Sequence, residues 1–438
     1  MNFFDFIYAF TFFVYIYPFV MSLFWIAFAM RFFIDYASFD KKQKQEEWHR
    51  KLFPMVSILI PCYNEQETIY DTVKNLHTDL KYPHYEIICI DDGSTDNTWE
   101  VLAGMRKSGE MPKLRIIKLV NNAGKAHALT QGAIAARGEF LMGLDADSFL
   151  EHDAIDHLIA NILGYKNKLT NFLGQRKGVG AVTGNPIVRN RSTLLAKIQL
   201  VEYASIVGLI KRSQRLFGRI GTVSGVCVLF RKRALMDVGW WDQDMITEDI
   251  AVTWKLQLEG WEAYFEPKSI CWMLVPETVK GLYNQRIRWA QGGLEVMLRY
   301  FKVLFQPKKW SQLPLLVELI LSFLWSCMWY ISMGIFLYIW FVSGHINWVF
   351  FALGALLVLI CMVQMIVALR VAKKYDPTAG DYFLWAAWYP FIYWFINPLT
   401  IVLAFPKAVY ARIKGGQATW TSPDRGLKEQ PSNSSQQL

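Results

Sequence analysis

The stretch Phe140-Leu141-Met142-Gly143-Leu144-Asp145-Ala146-Asp147 decides the fold, because an apolar run of strand length ends there in two carboxylates. The chain before it alternates further apolar runs with helical patterns. Predicted strands cover residues 55–60, 86–90, 114–120 and 140–144, and predicted helices begin near residue 66 and at residue 125. This alternation predicts a parallel, doubly wound α/β sheet. Ligands of such sheets bind beyond the carboxyl ends of the strands.

All four predicted strands end in polar residues. These residues are Tyr63, Asn64 and Glu65, then Asp91 and Asp92, then Asn121, Asn122 and Lys125, and finally Asp145 and Asp147. The chain has neither a G-x-G-x-x-G nor a P-loop pattern, so the usual glycine-rich phosphate cradles are excluded. Carboxylates around a diphosphate need a divalent cation between them, and hard oxygen ligands favour Mg²⁺ or Mn²⁺. Because alternate residues at a strand end point to one side, we predict this metal at Asp145 and Asp147.

Three further motifs follow the predicted sheet. A second D-x-D triplet, Asp242 and Asp244, lies in a loop, where a solvated acidic turn is the favoured interpretation. Thr247-Glu248-Asp249 suits the start of a helix, with Thr as the N-cap and two acids in the first turn, and standing alone it is interpreted as structural. Gln285-Arg286-Ile287-Arg288-Trp289 is different, because a surface helix has no need of an indole beside a guanidinium. Arginine can hold a diphosphate and tryptophan can stack on a sugar ring, so this motif predicts a binding function.

The composition is that of a membrane protein. The 438 residues are 53% hydrophobic and 16% aromatic but only 19% charged, and the charges leave long stretches without any. Apolar runs of spanning length cover residues 6–33, 313–342, 348–371 and 382–405. The net charge of +9 fits basic loops beside anionic lipid. We therefore expect membrane lipids, and no nucleic acid, among the partners.

Basic residues predict the topology. Lys41, Lys42 and Lys44 follow the first run and place the middle of the chain in the cytoplasm by the positive-inside rule. The last run has basic residues on both sides, since Arg370 precedes it and Lys407 follows it. Both of its ends are therefore expected in the cytoplasm, as in a helical hairpin or a re-entrant element broken near Pro390 or Pro398. We expect four or five crossings.

Four regions result from this pattern. Residues 1–36 form an N-terminal transmembrane segment, 37–310 a cytoplasmic domain with interfacial helices, 311–410 a C-terminal transmembrane region, and 411–438 a cytoplasmic tail whose end is disordered. The interfacial helices are predicted at residues 198–215 and 278–300, which mix apolar residues with Lys and Arg. For the first of them, a core helix of the soluble domain is the alternative.

The ordered motifs resemble those of the processive family 2 glycosyltransferases, which include cellulose, chitin and hyaluronan synthases. The residues that carry the resemblance are Asp92, Asp145 and Asp147, Thr247-Glu248-Asp249 and Gln285-Arg286-Ile287-Arg288-Trp289. Residues 181–186, 245–250, 271–278 and 420–426 are similar to the bacterial poly-β-1,6-N-acetylglucosamine synthases. One departure is Ile187, because the family often has arginine directly after this Asn-Pro. The resemblance implies an α/β GT-A-type (Rossmann-like) cytoplasmic catalytic domain inserted between transmembrane helices.

The resemblance also implies a role for each motif residue. Asp145 and Asp147 would hold Mg²⁺ or Mn²⁺ on the diphosphate of a UDP-sugar. Asp147 would be catalytic because it binds the ion that neutralises the leaving group. Asp249, beside Glu248, would be the general base, and Arg288 would steady the leaving diphosphate. The residues implied in substrate binding are Tyr63, Glu65 and Asp92 around the uridine, Lys125 and Asp145 near the nucleotide, and Gln285 and Trp289 facing the acceptor sugar.

The implied function is polymerisation of N-acetylglucosamine from UDP-GlcNAc into poly-β-1,6-GlcNAc for the biofilm matrix, with export across the bacterial inner membrane. One base and no second nucleophile favour a single, inverting displacement. The implied partners are the growing polysaccharide and a small membrane accessory subunit, and control by a nucleotide second messenger through that complex is left open. The alternatives are a hyaluronan-, chitin- or cellulose-type synthase, single-sugar transfer to a lipid carrier, and a non-catalytic, membrane-anchored binding scaffold.

Overall fold

An eight-stranded mixed sheet lies between the apolar helices near the two ends of the chain. The computed structural model describes residues 3–45, 53–164, 177–344 and 348–418. The strands are β1 (Val56–Cys62), β2 (Tyr85–Asp91), β3 (Leu114–Lys118), β4 (Phe140–Leu144), β5 (Phe149–Leu150), β6 (Gly178–Val188), β7 (Cys227–Arg231) and β8 (Trp261–Met273).

The four predicted strands are confirmed as a parallel half-sheet in the order β3-β2-β1-β4. The other half was not predicted. There β7 pairs antiparallel with β4 and β6, β8 runs parallel to β6, and β5 closes the edge antiparallel to β8. The sheet is therefore mixed, and β4 lies at the junction of its two halves.

Helices cover both faces of the sheet. One face packs against α2 (Ile69–Thr78), α3 (Thr98–Ser108) and α5 (Ala154–Gly164), and the other against α4 (Lys125–Ala135), α8 (Lys232–Asp237) and α9 (Glu248–Leu258). Strand β4 contributes to both layers, since Phe140 and Met142 face the first set and Leu141 faces the second. Its side chains are fully buried, which explains the continuous apolar run in the sequence.

Both stretches predicted as interfacial helices are helical and lie beside the apolar helices; their interfacial position stays a prediction. Residues 198–215 fall in α6 (Leu194–Glu202), a π-helical segment (Tyr203–Leu209) and α7 (Ile210–Leu216), and residues 278–300 form α10 (Val279–Tyr300). Two short 3-10 helices, Phe301–Phe305 and Pro307–Gln312, lead from α10 into the long helices.

Four described helices are long and apolar enough to cross a membrane. They belong to α1 (Phe3–Gln45), α11 (Leu313–Ser343), α12 (Trp348–Ala372) and α14 (Tyr389–Lys414), and a 3-10 turn (Ala379–Tyr382) with α13 (Phe383–Ala386) precedes the last. The apolar run is broken near Pro390, one of the two expected points, because α13 ends at Ala386 and α14 begins at Tyr389. There is no break at Pro398, which lies inside α14. The predicted disordered end of the tail lies outside the described residues.

A buried ionic network joins the first helix to the sheet domain. The Arg215 guanidinium lies 3.7 Å from the Glu266 carboxylate, and both side chains are almost fully buried. Tyr36 of α1 donates a hydrogen bond to Glu266, and Arg215 donates to Asn161 Oδ1 at 2.7 Å. Because breaking such a network would leave a buried charge uncompensated, it fixes α1 against α7 and β8.

Candidate active site

A buried lysine joins the carboxylates that the sequence singles out. Lys125 Nζ lies 2.6 Å from Asp145 Oδ1 and 3.3 Å from Glu248 Oε1. Lys125 opens α4, Asp145 follows β4 and Glu248 opens α9, so three elements far apart in sequence meet at one ammonium group. Burial lowers the pKa of Lys125, but the carboxylates of Asp145, Glu248 and Asp249 raise it above its ordinary value. The lysine is therefore a permanent cation that balances part of the acidic charge.

Asp92 holds this lysine in place through the backbone. Its carboxylate is fully buried and accepts hydrogen bonds from the amides of Ala123, at 3.2 Å, and Gly124, at 2.9 Å. Gly124 directly precedes Lys125 and has a φ of 91°, which favours glycine. Glu65 is buried as well, and Tyr63 beside it is half-buried. In this arrangement Asp92 fixes the start of α4 rather than lying open to a ligand.

The candidate base Asp249 lies beside a loop that the sequence analysis missed. The backbone N–H of Gly225 donates to Asp249 Oδ2 at 3.2 Å. A Cβ at Gly225 would lie 3.2 Å from Lys125 Nζ and 3.4 Å from both Asp249 Oδ2 and Glu248 Oε1. Glycine is needed here because the backbone itself approaches the charged groups. The only sequence signal was a Ser-Gly pair between two apolar runs, which also suits an ordinary turn.

Burial makes Asp249 a carboxylate that titrates close to neutral pH. Desolvation first, and the neighbouring Glu248 carboxylate second, raise the pKa of Asp249 to about 6, while Lys125 opposes the rise. Lys211, a buried residue of α7, also favours the ionised form of Asp249, and burial lowers the pKa of Lys211 to about 8. A pKa just below the working pH suits a general base.

The turn after β4 presents the two predicted metal ligands. Asp145 is 27% exposed at its side chain, and Asp147 is 6% exposed as a residue and accepts a hydrogen bond from Ser148 at 3.0 Å. Within the described residues no group of three or more His, Cys, Asp or Glu side chains could enclose a metal ion. The protein thus offers a pair of hard oxygen donors, and a ligand with its own oxygens would have to complete the coordination.

Helix α10 brings the Gln285-to-Trp289 motif to the same site. Gly292, one turn after Arg288 in α10, lies against Thr247, the residue before Glu248. Arg288 is half-buried and makes no hydrogen bond or ion pair with another described residue. Gln285 Oε1 is buried and likewise has no hydrogen-bond partner among the described residues. A guanidinium without a partner suits the binding of an anionic ligand, whereas the unpaired amide oxygen of Gln285 suits a hydroxyl donor.

The contact between α9 and α10 corrects the expected role of Thr247. Its hydroxyl was interpreted as an N-cap, but it makes no capping bond and lies buried against Gly292 of α10. A Cβ at Gly292 would lie 1.8 Å from Thr247 Oγ1, so only glycine allows this approach. Glu295 of α10 also accepts a hydrogen bond from the Ile246 amide at 3.2 Å. Helix α10 therefore holds the loop that presents Glu248 and Asp249.

The second D-x-D triplet is structural. Asp242 pairs with Lys255 at 2.7 Å and with Arg299 at 3.0 Å, and Asp244 pairs with the same arginine. Both acids lie in the loop before α9, as predicted, but cations rather than solvent neutralise them. This loop therefore fastens α9 to α10 and takes no part in the site.

Comparisons with known proteins agree with this geometry. The family described as Glycosyl transferase family 2 matches residues 57–239. The poly-β-1,6-N-acetyl-D-glucosamine synthase of Staphylococcus epidermidis is 42% identical over 414 residues, which cover 92% of this chain and 96% of that protein. The chain belongs to glycosyltransferase family 2. A Staphylococcus aureus protein of the same name is 41% identical over 410 residues, with the same coverage.

The fold of this family 2 glycosyltransferase has a solved relative. A mannosyltransferase from Pyrobaculum calidifontis, in complex with GDP-Man and Mn²⁺, superposes with a TM-score of 0.53 at 18% identity and covers 88% of this chain and 99% of its own. At this identity the likeness concerns the fold alone. It confirms the expected GT-A-type domain between apolar helices.

Gly225→Ala should reduce turnover at least about tenfold, because the added methyl group would push Lys125 and Asp249 apart. The rate of UDP release from a UDP-sugar measures the effect. Gly104→Ala is the matched control, since its Cβ would have no neighbour within 4 Å. Equal activity of the two variants would show that the close approach at Gly225 does not matter.

Proposed function

We propose that this family 2 glycosyltransferase is a processive, inverting polymerase that makes poly-β-1,6-GlcNAc from UDP-GlcNAc. The observation that carries the proposal is the Lys125 cluster, which brings the Asp145–Asp147 turn and the buried Asp249 to one site. The staphylococcal synthases support the choice of sugar and linkage, because their identity extends over 92% of the chain. The polymer would leave the cell for the biofilm matrix.

Asp249 is the proposed base for the acceptor. Its carboxylate takes the proton of the acceptor hydroxyl while that oxygen bonds to the anomeric carbon and the bond to the diphosphate breaks. A single displacement of this kind inverts an α-linked donor to a β-linked product. The Gly225 amide orients the Asp249 carboxylate, and the charge of Lys125 opposes the rise in the pKa of Asp249 that burial causes.

The leaving diphosphate is the proposed ligand of the positive groups. Asp145 and Asp147 would hold Mg²⁺ or Mn²⁺, which supplies Lewis-acid neutralisation of the leaving charge when bound. The donor set fits such an ion, because both groups are hard oxygen ligands and diphosphate oxygens can complete the coordination. Arg288 would bind the diphosphate directly, and Gln285 and Trp289 would meet the acceptor sugar.

The purified protein tests the proposal directly. We expect UDP release and an insoluble or long product from UDP-GlcNAc with Mg²⁺ or Mn²⁺, loss of both in EDTA, and digestion of the product by a β-1,6-specific hydrolase. Digestion only by hydrolases for other linkages would favour a hyaluronan-, chitin- or cellulose-type product. A single sugar on lipid would indicate carrier transfer, and no release from any UDP-sugar would favour a binding scaffold.

Asp147→Asn should abolish turnover and weaken metal-dependent UDP binding, because an amide is a poor ligand for a hard cation. Calorimetric titration of UDP with and without Mn²⁺ measures the loss. Asp244→Asn is the matched control, since it changes the same position of the structural D-x-D triplet. Unchanged metal-dependent UDP binding in Asp147→Asn would show that the metal ion does not bind at this turn.

Asp249→Asn should keep UDP affinity and lower transfer by about a hundredfold or more, because the base acts on the acceptor and not on the donor. In the unmodified protein, transfer should fall as the pH drops through about 6, since protonated Asp249 cannot accept a proton. The acidic part of the pH profile of kcat/KM measures this loss of transfer. Lost donor affinity in the variant, or a flat profile between pH 5 and 7, would contradict the assignment.

We further propose that the catalytic domain is cytoplasmic in an inner-membrane protein with three crossings, fewer than the four or five that the sequence predicts. Directly after α12, Asp376 pairs with Arg191 of the sheet domain at 2.7 Å, so α11 and α12 leave and return to the same side. After α14, the Ala418 amide donates to Gln243 O of the sheet domain at 2.8 Å. Helix α14 therefore begins and ends beside the catalytic domain.

The contacts along α14 support a helix that dips into the membrane without crossing it. Tyr389, in its first turn, belongs to the same apolar cluster as Tyr203, and Ala404 and Ala408, in its last turns, belong to the cluster of Trp254 and Leu294. Between these ends, the Trp394 ring lies 5.7 Å from Trp325 of α11. This arrangement keeps Lys407, Arg412 and Lys414 on the cytoplasmic side, as the positive-inside rule requires.

Cysteine labelling tests the three-crossing topology. In a background without the six native cysteines, Gly415→Cys should react with an impermeant maleimide only after the cells are opened. Gly344→Cys, between α11 and α12, is the control and should react in intact cells. Labelling of Gly415→Cys in intact cells would show that α14 crosses the membrane.

A small membrane subunit is proposed as a partner for export. Three crossing helices make a thin bundle, whereas a polar sugar chain needs a path on which its hydroxyls find partners away from lipid. Nε1 of Trp329 and Nε1 of Trp394 are buried without a hydrogen-bond partner among the described residues, which leaves donors for such a chain or subunit. Any control by a nucleotide second messenger would act through this complex.

A further inference from the structure

A buried ion pair lies next to the acceptor-side motif and has no role in the chemistry described so far. Arg286 Nη2 of α10 lies 2.7 Å from Glu202 Oε2, and the side chains are only 14% and 6% exposed. Glu202 is the last residue of α6, directly before the π-helical segment. Burial raises the pKa of Glu202, but Arg286 and a hydrogen bond with Tyr389 of α14 oppose that rise. The pair therefore ties α6, α10 and α14 together.

The arginine of this pair also stacks on the motif tryptophan. Its guanidinium lies 4.5 Å from the centroid of the Trp289 ring, three residues further along the same face of α10. Tyr203 meets the indole edge-to-face, with a centroid distance of 5.9 Å and an interplanar angle of 73°. Because Tyr203 follows Glu202 directly in the chain, one turn of backbone supplies both the carboxylate and the tyrosine that orient the indole.

A tryptophan that binds a sugar ring must present a fixed face. One face of the Trp289 indole is covered by the Arg286 guanidinium, which the Glu202 carboxylate holds in place. Separating the pair would leave a charge buried without compensation, which is strongly unfavourable. The ion pair thus keeps the guanidinium fixed against the indole.

We propose that Glu202 and Arg286 are positioning residues that fix Trp289 for the terminal sugar of the acceptor polymer. The inference rests on the proposed function, because it assumes that Trp289 faces an acceptor. It predicts that the pair acts on acceptor binding and chain elongation and leaves donor binding alone, since neither residue contacts Lys125, Asp145 or Asp249.

Arg286→Lys and Glu202→Gln test the proposal. Lysine retains the charge but loses the planar stack, and glutamine retains the shape but loses the charge. For both variants we expect the KM for a β-1,6-linked GlcNAc oligomer to rise about tenfold, with a donor KM within about twofold of the original and shorter products. UDP release without acceptor should be unchanged. The thermal unfolding midpoint, measured in parallel, shows whether each variant is folded.

Arg191→Lys is the matched control. Arg191 pairs with Asp376 at the same 2.7 Å and with nearly the same burial, 16% and 6% exposed, but does not contact Trp289. It should leave the acceptor KM unchanged. A double-mutant cycle of Arg286→Lys with Trp289→Phe should be non-additive in the acceptor KM, because the two residues act as one unit.

The inference would be overturned by additivity in that cycle, or by an equal rise of donor and acceptor KM in Arg286→Lys and Glu202→Gln. Failure of the proposed function looks different, because the unmodified protein would then release no UDP from UDP-GlcNAc. Calorimetric titration of the β-1,6-linked oligomer gives a test without turnover, and unchanged oligomer affinity in both folded variants would also contradict the support role.

Discussion

The site depends on one buried ammonium group. Lys125 stands between the end of β4 and the start of α9, and without it Asp145, Glu248 and Asp249 would be mutually repelling carboxylates in a partly dehydrated cleft. Other parts of the fold hold Lys125 in this position. Asp92 fixes the turn before Lys125, and the backbone of Gly225 closes the space between the lysine and Asp249. A chain of backbone contacts thus sets the geometry of the charged groups.

The same constraint connects the site to the membrane. Helix α10 touches the Thr247 loop through Gly292 and carries Arg288 and Trp289, and it also packs along α14. A displacement of α14 would therefore move both the loop that carries Asp249 and the residues on the acceptor side of the site. This coupling makes the catalytic domain and the apolar helices one unit, which suits the proposed polymerase.

The parallel half of the sheet and its carboxylates could be predicted from the sequence, because β1, β2 and β4 are largely apolar runs with polar or acidic residues at their carboxyl ends. The other half could not, since β6 and β8 are long, partly polar strands whose pairing depends on distant segments. The roles of Gly225 and Gly292 could not be predicted, because a close approach between segments distant in sequence leaves no local sequence pattern. The Glu202–Arg286 ion pair could not be predicted for a similar reason, because the two residues are 84 positions apart in the sequence. The path of α14 followed from contacts with the sheet domain, which hydropathy cannot show.

A structure of the full chain with UDP and Mn²⁺ would test the central claim most directly. The account predicts the ion on Asp145 and Asp147, the diphosphate on Arg288, and Asp249 still held by the Gly225 amide on the acceptor side. Lys125 should then neutralise Glu248 and Asp249, since the metal takes over the charge of Asp145. A metal bound away from this turn, or a diphosphate that leaves Arg288 without a contact, would contradict it.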